Sequence, residues 1–381
     1  MADLPLSELA AAQFPDLGRV ALNGARWHPL PRVAVQAMEE HAHFRAADGG
    51  WGEDIGSAAQ GGSRAAFARL IGAAAEDIAL VPSTTMAEQM VVRALALPAS
   101  GAIVTDLMHF DGSICFYDSL AAKGADVRIV EPRDGRIHLD DIAKALERGE
   151  VRLIAVSAIS NMTGFCHDLA ALTELAHSHG ALVYADIIQM VGAVPFDVTS
   201  TGVDFCAASG YKWLMGDMGL GFLYVRPSVV QQLERPLLGF RQIARDIMPW
   251  PPLTGTERRW EMVPGPIGLF EGGSLPVTAA ISLQASIGLI ESIGVDAIAK
   301  HRALLLQQLD EGFAAMGYPR ITPTDSVAPF IVYDTRHDPL LGKRLKAANI
   351  HAGAMDDILR VSVSIHNDAE DIEKLLAALK A

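Results

Sequence analysis

The stretch whose reading decides the fold is residues 181–226. It opens as ALVYADIIQMVGAVPFD (181–197) and continues, after five residues, as VDFCAASGYKWLMGDMGLGFLYVR (203–226). Three short apolar runs rich in β-formers punctuate it, at 181–185, 203–208 and 220–225. Each is bounded by turn residues, the pattern of a buried strand. The first run stops at Asp186, the second at Ser209-Gly210-Tyr211-Lys212-Trp213, and the third is closed by Pro227. An acid therefore sits at the mouth of one strand and a lysine just past the end of the next. In open α/β sheets, ligands bind beyond the carboxyl ends of strands.

Working outward, the same alternation continues in both directions. Residues 77–81 read as a strand, followed by Pro82-Ser83-Thr84-Thr85-Met86-Ala87 and by apolar Met86, Met90, Val91 and Leu95 at helical spacing. Exposed N–H groups at a helix start, together with Ser and Thr hydroxyls, suit an anion; the plainer role is an N-cap. A strand at 102–105 ends at Asp106-Leu107-Met108-His109-Phe110, and further strands read at 126–130 and 151–158. The last leads into Ser160-Asn161-Met162-Thr163-Gly164 and a helix over 168–180. Strands alternating with helices predict an α/β fold with a mostly parallel, doubly wound sheet.

After Pro227 the pattern changes. Residues 239–268 are rich in Gly, Pro, Trp and Arg with little periodicity, as functional loops often are. From about 275 the chain reads as two long helices, a strand at 329–333, a helix, a strand at 358–364 and a last helix. The expected organisation is a large domain at 17–270 and a smaller C-terminal α/β domain at 271–381, joined by the N-terminal segment 1–16. Residues 21–24 and the helical run from Val33 read as an opening loop and helix. The glycine-rich 49–62 reads as a mobile loop near the site or an irregular connection.

An Asp and a Lys placed at neighbouring strand ends suit pyridoxal phosphate (PLP). The lysine can form a Schiff base with the cofactor aldehyde, while the carboxylate keeps the pyridine nitrogen protonated so that the ring acts as an electron sink. Gln189 is placed to donate to the ring hydroxyl oxygen. Taken singly, such an Asp is more often a helix cap, and such a Lys is usually a solvated surface charge.

The segments Ala185-Asp186-Ile187-Ile188-Gln189, Val194-Pro195-Phe196-Asp197, Ser209-Gly210-Tyr211-Lys212-Trp213 and Gly219-Leu220-Gly221-Phe222-Leu223-Tyr224-Val225 resemble the class V aminotransferase superfamily, within the fold type I PLP-dependent transferases. The resemblance extends over nearly the whole chain. It is nearest to the branch of isopenicillin N epimerase-like proteins, selenocysteine lyases and cysteine desulfurases. It implies that Thr84 and Thr85 cradle the cofactor phosphate, although Ser83 stands where the family often has glycine. It implies that His109 stacks on the pyridine ring, with Phe110 as the alternative, that Asn161, Thr163, Asp186 and Gln189 lie at the ring, and that Ser209 also binds the cofactor. Phe270-Glu271-Gly272-Gly273-Ser274 resembles the family's Glu-x-Gly-Thr segment. Ser274 would then reach the cofactor phosphate of a neighbouring subunit in a homodimer with shared active sites. Leu359-Arg360-Val361-Ser362 with Asn367-Asp368 resembles the C-terminal signature, in which the arginine grips the substrate α-carboxylate. A guanidinium suits that group because it offers two parallel hydrogen bonds. Asn23 is a further substrate-binding candidate, or a turn residue.

Composition narrows the partners. At 381 residues and half hydrophobic, the chain can build two cores. A net charge of −14 argues against nucleic acid and anionic membranes as partners. The acidic N-terminus lacks the basic region of a signal peptide, so a cytoplasmic protein is the simplest reading. Cys115, Cys166 and Cys206 form neither a disulfide framework nor a metal-ligand spacing. Cysteine desulfurases of the resembled branch carry a reactive cysteine shortly before the C-terminal arginine. Here that region is His351-Ala352-Gly353-Ala354-Met355-Asp356-Asp357, which argues against an enzyme-borne persulfide. The leading expectation is an aminotransferase acting on an amino acid through Lys212. A β-eliminating carbon–sulfur lyase and an epimerase are the alternatives, and a non-catalytic PLP-binding protein is a further one.

Overall fold

The computed structural model describes residues 6–14, 17–48, 55–246 and 259–380. The strands are β1 (Val20–Leu22), β2 (Ile78–Val81), β3 (Ala102–Asp106), β4 (Val127–Val130), β5 (Val151–Ser157), β6 (Leu182–Asp186) and β7 (Phe205–Ser209). After them come β8 (Gly221–Val225), β9 (Ile243–Asp246), β10 (Trp260–Met262), β11 (Phe330–Asp334), β12 (Ile350–Ala354) and β13 (Ile358–Ser362).

Seven strands form the large sheet, in the order β2-β8-β7-β6-β5-β3-β4. The pairs from β4 through β7 are parallel, and β8 runs antiparallel to both β7 and β2. Strands β2, β3 and β5 are apolar on both faces because helices cover both. Ile78, Leu80, Val104 and Ile154 feed one core and Ala79, Val81, Ile103 and Leu153 the other. The edge strand β4 instead alternates buried and half-buried residues. The parallel strands, with β2, deliver their carboxyl ends to a single edge of the sheet, and the site is built there.

The small sheet has the order β1-β12-β13-β11. Residues 20–22, allotted by the sequence reading to the stretch 17–270, thus pair with β12 and share a core with Tyr333, Val361 and Leu375. The helix Val277–Ile293, allotted to 271–381, instead packs on Arg32–Asp48 and Ile55–Leu70 under the large sheet. The expected boundaries therefore do not follow the cores.

Two stretches read as irregular are in part regular. Residues 49–54 lie outside the described residues, but 55–70 form a helix despite three glycines. A Cβ on Gly62 would meet the Gln284 side chain at 2.5 Å, and one on Gly56 would meet Val277 at 3.0 Å. Close helix–helix approach is what the glycines permit, and the packing outweighs their poor helix propensity. Within 239–268, β9 and β10 pair antiparallel and Gly265–Phe270 is helical, while 247–258 lie outside the described residues. No single described helix is long and apolar enough to cross a membrane; Val277–Ile293 and Val295–Ala315 pass such a test only together, across a 77° bend.

Candidate active site

Asp186 closes β6, level with Ser157 on β5 and Ala207 on β7. Its carboxylate accepts the Ile188 N–H at 2.9 Å and is buried. Burial pushes its pKa up to about 6, against the pull of His109 and Lys212. Lys212 lies just beyond β7. Burial pulls its amine down to about 8; Asp186 opposes this and Arg360 adds to it. Among the described residues no carboxylate forms an ion pair with Lys212, whose Nζ stands 6.0 Å from the Tyr211 ring centroid. The fold thus holds a buried acid and a half-buried amine close enough to feel each other, with neither ion-paired among the described residues.

The loop bearing Lys212 is held tightly. The Gly216 N–H donates to the Gly210 carbonyl at 2.9 Å, and a Cβ on Gly210 would meet Leu283 at 2.5 Å. Trp213 is buried and donates its indole N–H to Gln189 Oε1 at 2.9 Å, while Gln189 donates to the Ala25 carbonyl at 3.0 Å. Gln189 is therefore a strut between the N-terminal loop and Trp213, with one amide hydrogen left for a ligand.

Ser83 caps the helix Thr84–Ala94, accepting from the Met86 N–H at 3.2 Å. Thr84 and Ser209 are tied reciprocally: the Thr84 N–H donates to Ser209 Oγ and the Ser209 N–H to Thr84 Oγ1, both at 2.9 Å, with the hydroxyls 3.0 Å apart. That clasp joins the helix start to the end of β7. The half-buried Thr85 stands beside it in the first helical turn.

His109 follows β3 and is buried, with Nδ1 2.8 Å from Ser157 Oγ and Nε2 2.9 Å from Glu88 Oε1. Glu88 also accepts from Tyr117 Oη at 2.7 Å and Ser113 Oγ at 2.5 Å. Burial alone would push Glu88 up, but His109 and the hydroxyls outweigh it and hold the carboxyl below its usual range. Burial would likewise pull His109 down, but Glu88, Asp186 and Asp106 raise it. The sequence reading missed Glu88. Its signal was a charged residue at helical spacing with Thr84, Ala87 and Val91, on the buried face of the helix.

Arg360 on β13 crosses from the small sheet to this edge. It is 8% exposed, donates Nη1 to the Asn161 carbonyl at 2.8 Å and lies 5.5 Å from the Phe330 ring centroid. No carboxylate pairs with it among the described residues, and its Nε has no partner. Burial, with Arg26, holds it down at about 10. Two amide oxygens nearby are also buried without partners, Asn161 Oδ1 and Asn23 Oδ1. Asn23 bridges to Ser362 beside the β12–β13 hairpin. Thr163 accepts from the Phe165 N–H at 3.1 Å and donates its hydroxyl to Met108 Sδ at 3.8 Å, beside His109. Ser274 is exposed, and since the next helix begins at Val277 with Pro276 before it, Ser274 is not that helix's cap.

Comparison with known proteins assigns the family. Residues 31–375 match the model for aminotransferase class-V. This chain belongs to that family. A probable cysteine desulfurase of Aeropyrum pernix is 29% identical, over 97% of this chain and 96% of its own length. A cysteine desulfurase of Haloferax volcanii is 25% identical over 82% of this chain and 76% of its own. Among solved structures, the apo cysteine desulfurase of Thermococcus onnurineus superposes with a TM-score of 0.86 at 24% identity, covering 100% of this chain and 98% of that one. The cystine C–S lyase C-DES, in complex with its reaction product cysteine persulfide, gives 0.84 at 20% identity, covering 96% and 99%. The fold is that of the fold type I PLP-dependent enzymes, and this class V enzyme is PLP-dependent.

The residues present fit the cofactor. A half-buried lysine with no counter-ion among the described residues is suited to covalent attachment of an aldehyde, and a buried carboxylate with no cation among them to a protonated ring nitrogen. When bound, PLP supplies an electron sink at the carbon attached to the substrate nitrogen. Lys212 and Asp186 would hold it, with His109 at the ring face and the first turn of Thr84–Ala94 at the phosphate.

Proposed function

We propose that this enzyme cleaves a carbon–sulfur bond of an amino acid by β-elimination. The observation that carries the proposal is Arg360. Its unpaired guanidinium reaches the edge that holds Lys212, in a chain whose curated relatives are named cysteine desulfurases. Those names favour elimination over the transamination that led the sequence reading. Arg360 takes the substrate α-carboxylate through parallel charge-assisted hydrogen bonds. That fixes the amino acid so that its Cα–H bond faces Lys212, whose amine, drawn down by burial, accepts the proton. Sulfur departs from Cβ with the bonding pair. Asp186 holds its charge against the ring nitrogen, and Glu88 fixes the His109 ring.

The sulfur leaves with a small molecule rather than on an enzyme thiol. The β12–β13 turn, Met355-Asp356-Asp357, has no cysteine beside Arg360. Burial pushes up the Cys166 and Cys206 thiols, and Cys115 is exposed on the helix Asp111–Ala121. In this proposal the enzyme is a homodimer, in which the exposed Ser274 would reach the partner's cofactor phosphate.

The test is a panel of amino acids, cystine and cysteine included, with and without a 2-oxo acid acceptor. Release of pyruvate, ammonia and a sulfur product without an acceptor supports elimination. Turnover that requires the acceptor would establish transamination instead, and Cα inversion without release of sulfur an epimerase.

A further inference from the structure

A second cavity, of about 500 Å³, opens between the helix Val295–Ala315, the segment leading into β11, and residues 194–195. Val194, Pro195, Leu306, Val327 and Phe330 make it largely apolar. Arg302 lies on its wall. It is 3% exposed, donates Nη2 to the Ala193 carbonyl, and leaves Nε without a partner. Its guanidinium carbon stands 6.0 Å from the Trp213 ring centroid. Among the described residues no carboxylate pairs with it. The other charged groups of the cavity, Asp310 and Arg320, are spent on each other at 2.7 Å, and Asp310 also accepts from Tyr333 Oη at 3.1 Å. The cavity therefore carries one uncompensated positive charge. Burying a charge without a counter-charge is costly, and removal from water already drags Arg302 down to about 10.

We propose that this cavity is a binding site for a small monocarboxylate with an apolar body. Its size lies in the range of small-molecule sites, roughly 300–1,000 Å³. The anion closes on the fork of Arg302, whose planar geometry matches a carboxylate, and the body lies against Leu306, Val327 and Phe330. A phosphate dianion is disfavoured, since Arg320 is already neutralised and the walls offer no second free cation among the described residues. Occupancy is felt at the catalytic edge. Arg302 lies against Trp213, which follows Lys212 and holds Gln189. The proposal is independent of the reaction assigned above.

The test uses the PLP-loaded enzyme and octanoate as probe, with inorganic phosphate and 1-octanol as controls. Melting temperature and tryptophan fluorescence are followed. Octanoate is expected to raise the melting temperature saturably and to change the fluorescence, with phosphate inert and octanol at least tenfold weaker. Arg302→Met should weaken octanoate at least tenfold. Val327→Glu, which places an anion on an exposed residue of the lining, should do the same even if Arg302→Met fails to fold. No octanoate response in the unaltered enzyme overturns the site. A response undiminished in a folded Arg302→Met, or in Val327→Glu when that variant alone folds, overturns it too. Equal binding of phosphate or octanol overturns the ligand class.

Discussion

Arg128 and Arg360 are buried to nearly the same degree, 6% and 8% exposed, yet they are opposite in kind. Arg128 bridges β4 to the end of the helix Leu139–Leu146. It meets Asp126 at 2.6 Å and donates to the carbonyls of Ala145 at 2.7 Å and Gly149 at 3.4 Å. Arg360 has one carbonyl, an aromatic face and an Nε with nothing. Burial alone thus says little about what a charged residue is for. The useful distinction is whether the fold completes its hydrogen bonding. At the outer edge of the sheet it does. At the edge where β5, β6 and β7 end it does not: Arg360 Nε and the side-chain oxygens of Asn23 and Asn161 lack partners, and Lys212 and Asp186 have no ion pair among the described residues.

The largest break in this contrast comes at Lys212. Lys212→Ala should abolish the visible cofactor absorbance and lower turnover about a thousandfold or more, while far-UV circular dichroism and melting of the cofactor-free protein stay as before. A variant that keeps the absorbance band would exclude Lys212 as the anchor. The same amine sets a pH dependence. Its neutral form attacks the aldehyde, and burial brings its pKa down to about 8. Capture of added PLP by cofactor-free protein should therefore climb about tenfold per pH unit below 8 and level off above it. A rise that continues to pH 10.5 would mean the amine is not depressed.

Next is Arg360→Lys, which keeps charge and loses the fork. The cost should be about 1.5–3 kcal/mol in kcat/KM for amino acids, roughly ten- to a hundredfold or more. Absorbance and melting should be unchanged. A fall in melting temperature with unaltered relative kinetics would make Arg360 a second Arg128.

The smallest effect belongs to Arg128→Met. Asp126 keeps access to water, so only the lost hydrogen bonds count, about 1–3 kcal/mol of stability by denaturant titration. Turnover per folded molecule should not change. An altered kcat/KM in this variant would dissolve the distinction.

Much of this was legible in the chain. The large-sheet strands declared themselves because helices on both faces demand continuous apolar runs. Asp186 and Lys212 stood out as charges where such runs stop, and Arg360 as a charge inside one. Thr84 and Ser209 were legible as candidates, but not their clasp, because it joins positions far apart in sequence through the antiparallel insertion of β8. Glu88 escaped for a similar reason: its meaning depends on His109, Ser113 and Tyr117 arriving from other elements. β1 is too short to show a period, and β12, with its Gly and Ala, lacks the bulky β-formers that mark a strand. The helix over 55–70 was hidden by its glycines, of which Gly56 and Gly62 answer to what packs on them.

The pairing of β1 with β12 also bears on how the molecule is made. Val20 lies opposite Ile350, and the carbonyl of Ala21 receives Asn367 at 3.0 Å and His366 at 3.1 Å. The large sheet can assemble from one contiguous span while the chain is still emerging from the ribosome. The small sheet cannot, because its first strand is synthesised early and its partner nearly last. Long-range closure of this kind adds little to the entropy cost but delays the contact. Throughout that wait β1 offers an unpaired edge to the cell, so a translation pause before β12 is the moment at which this protein is most exposed to misassembly.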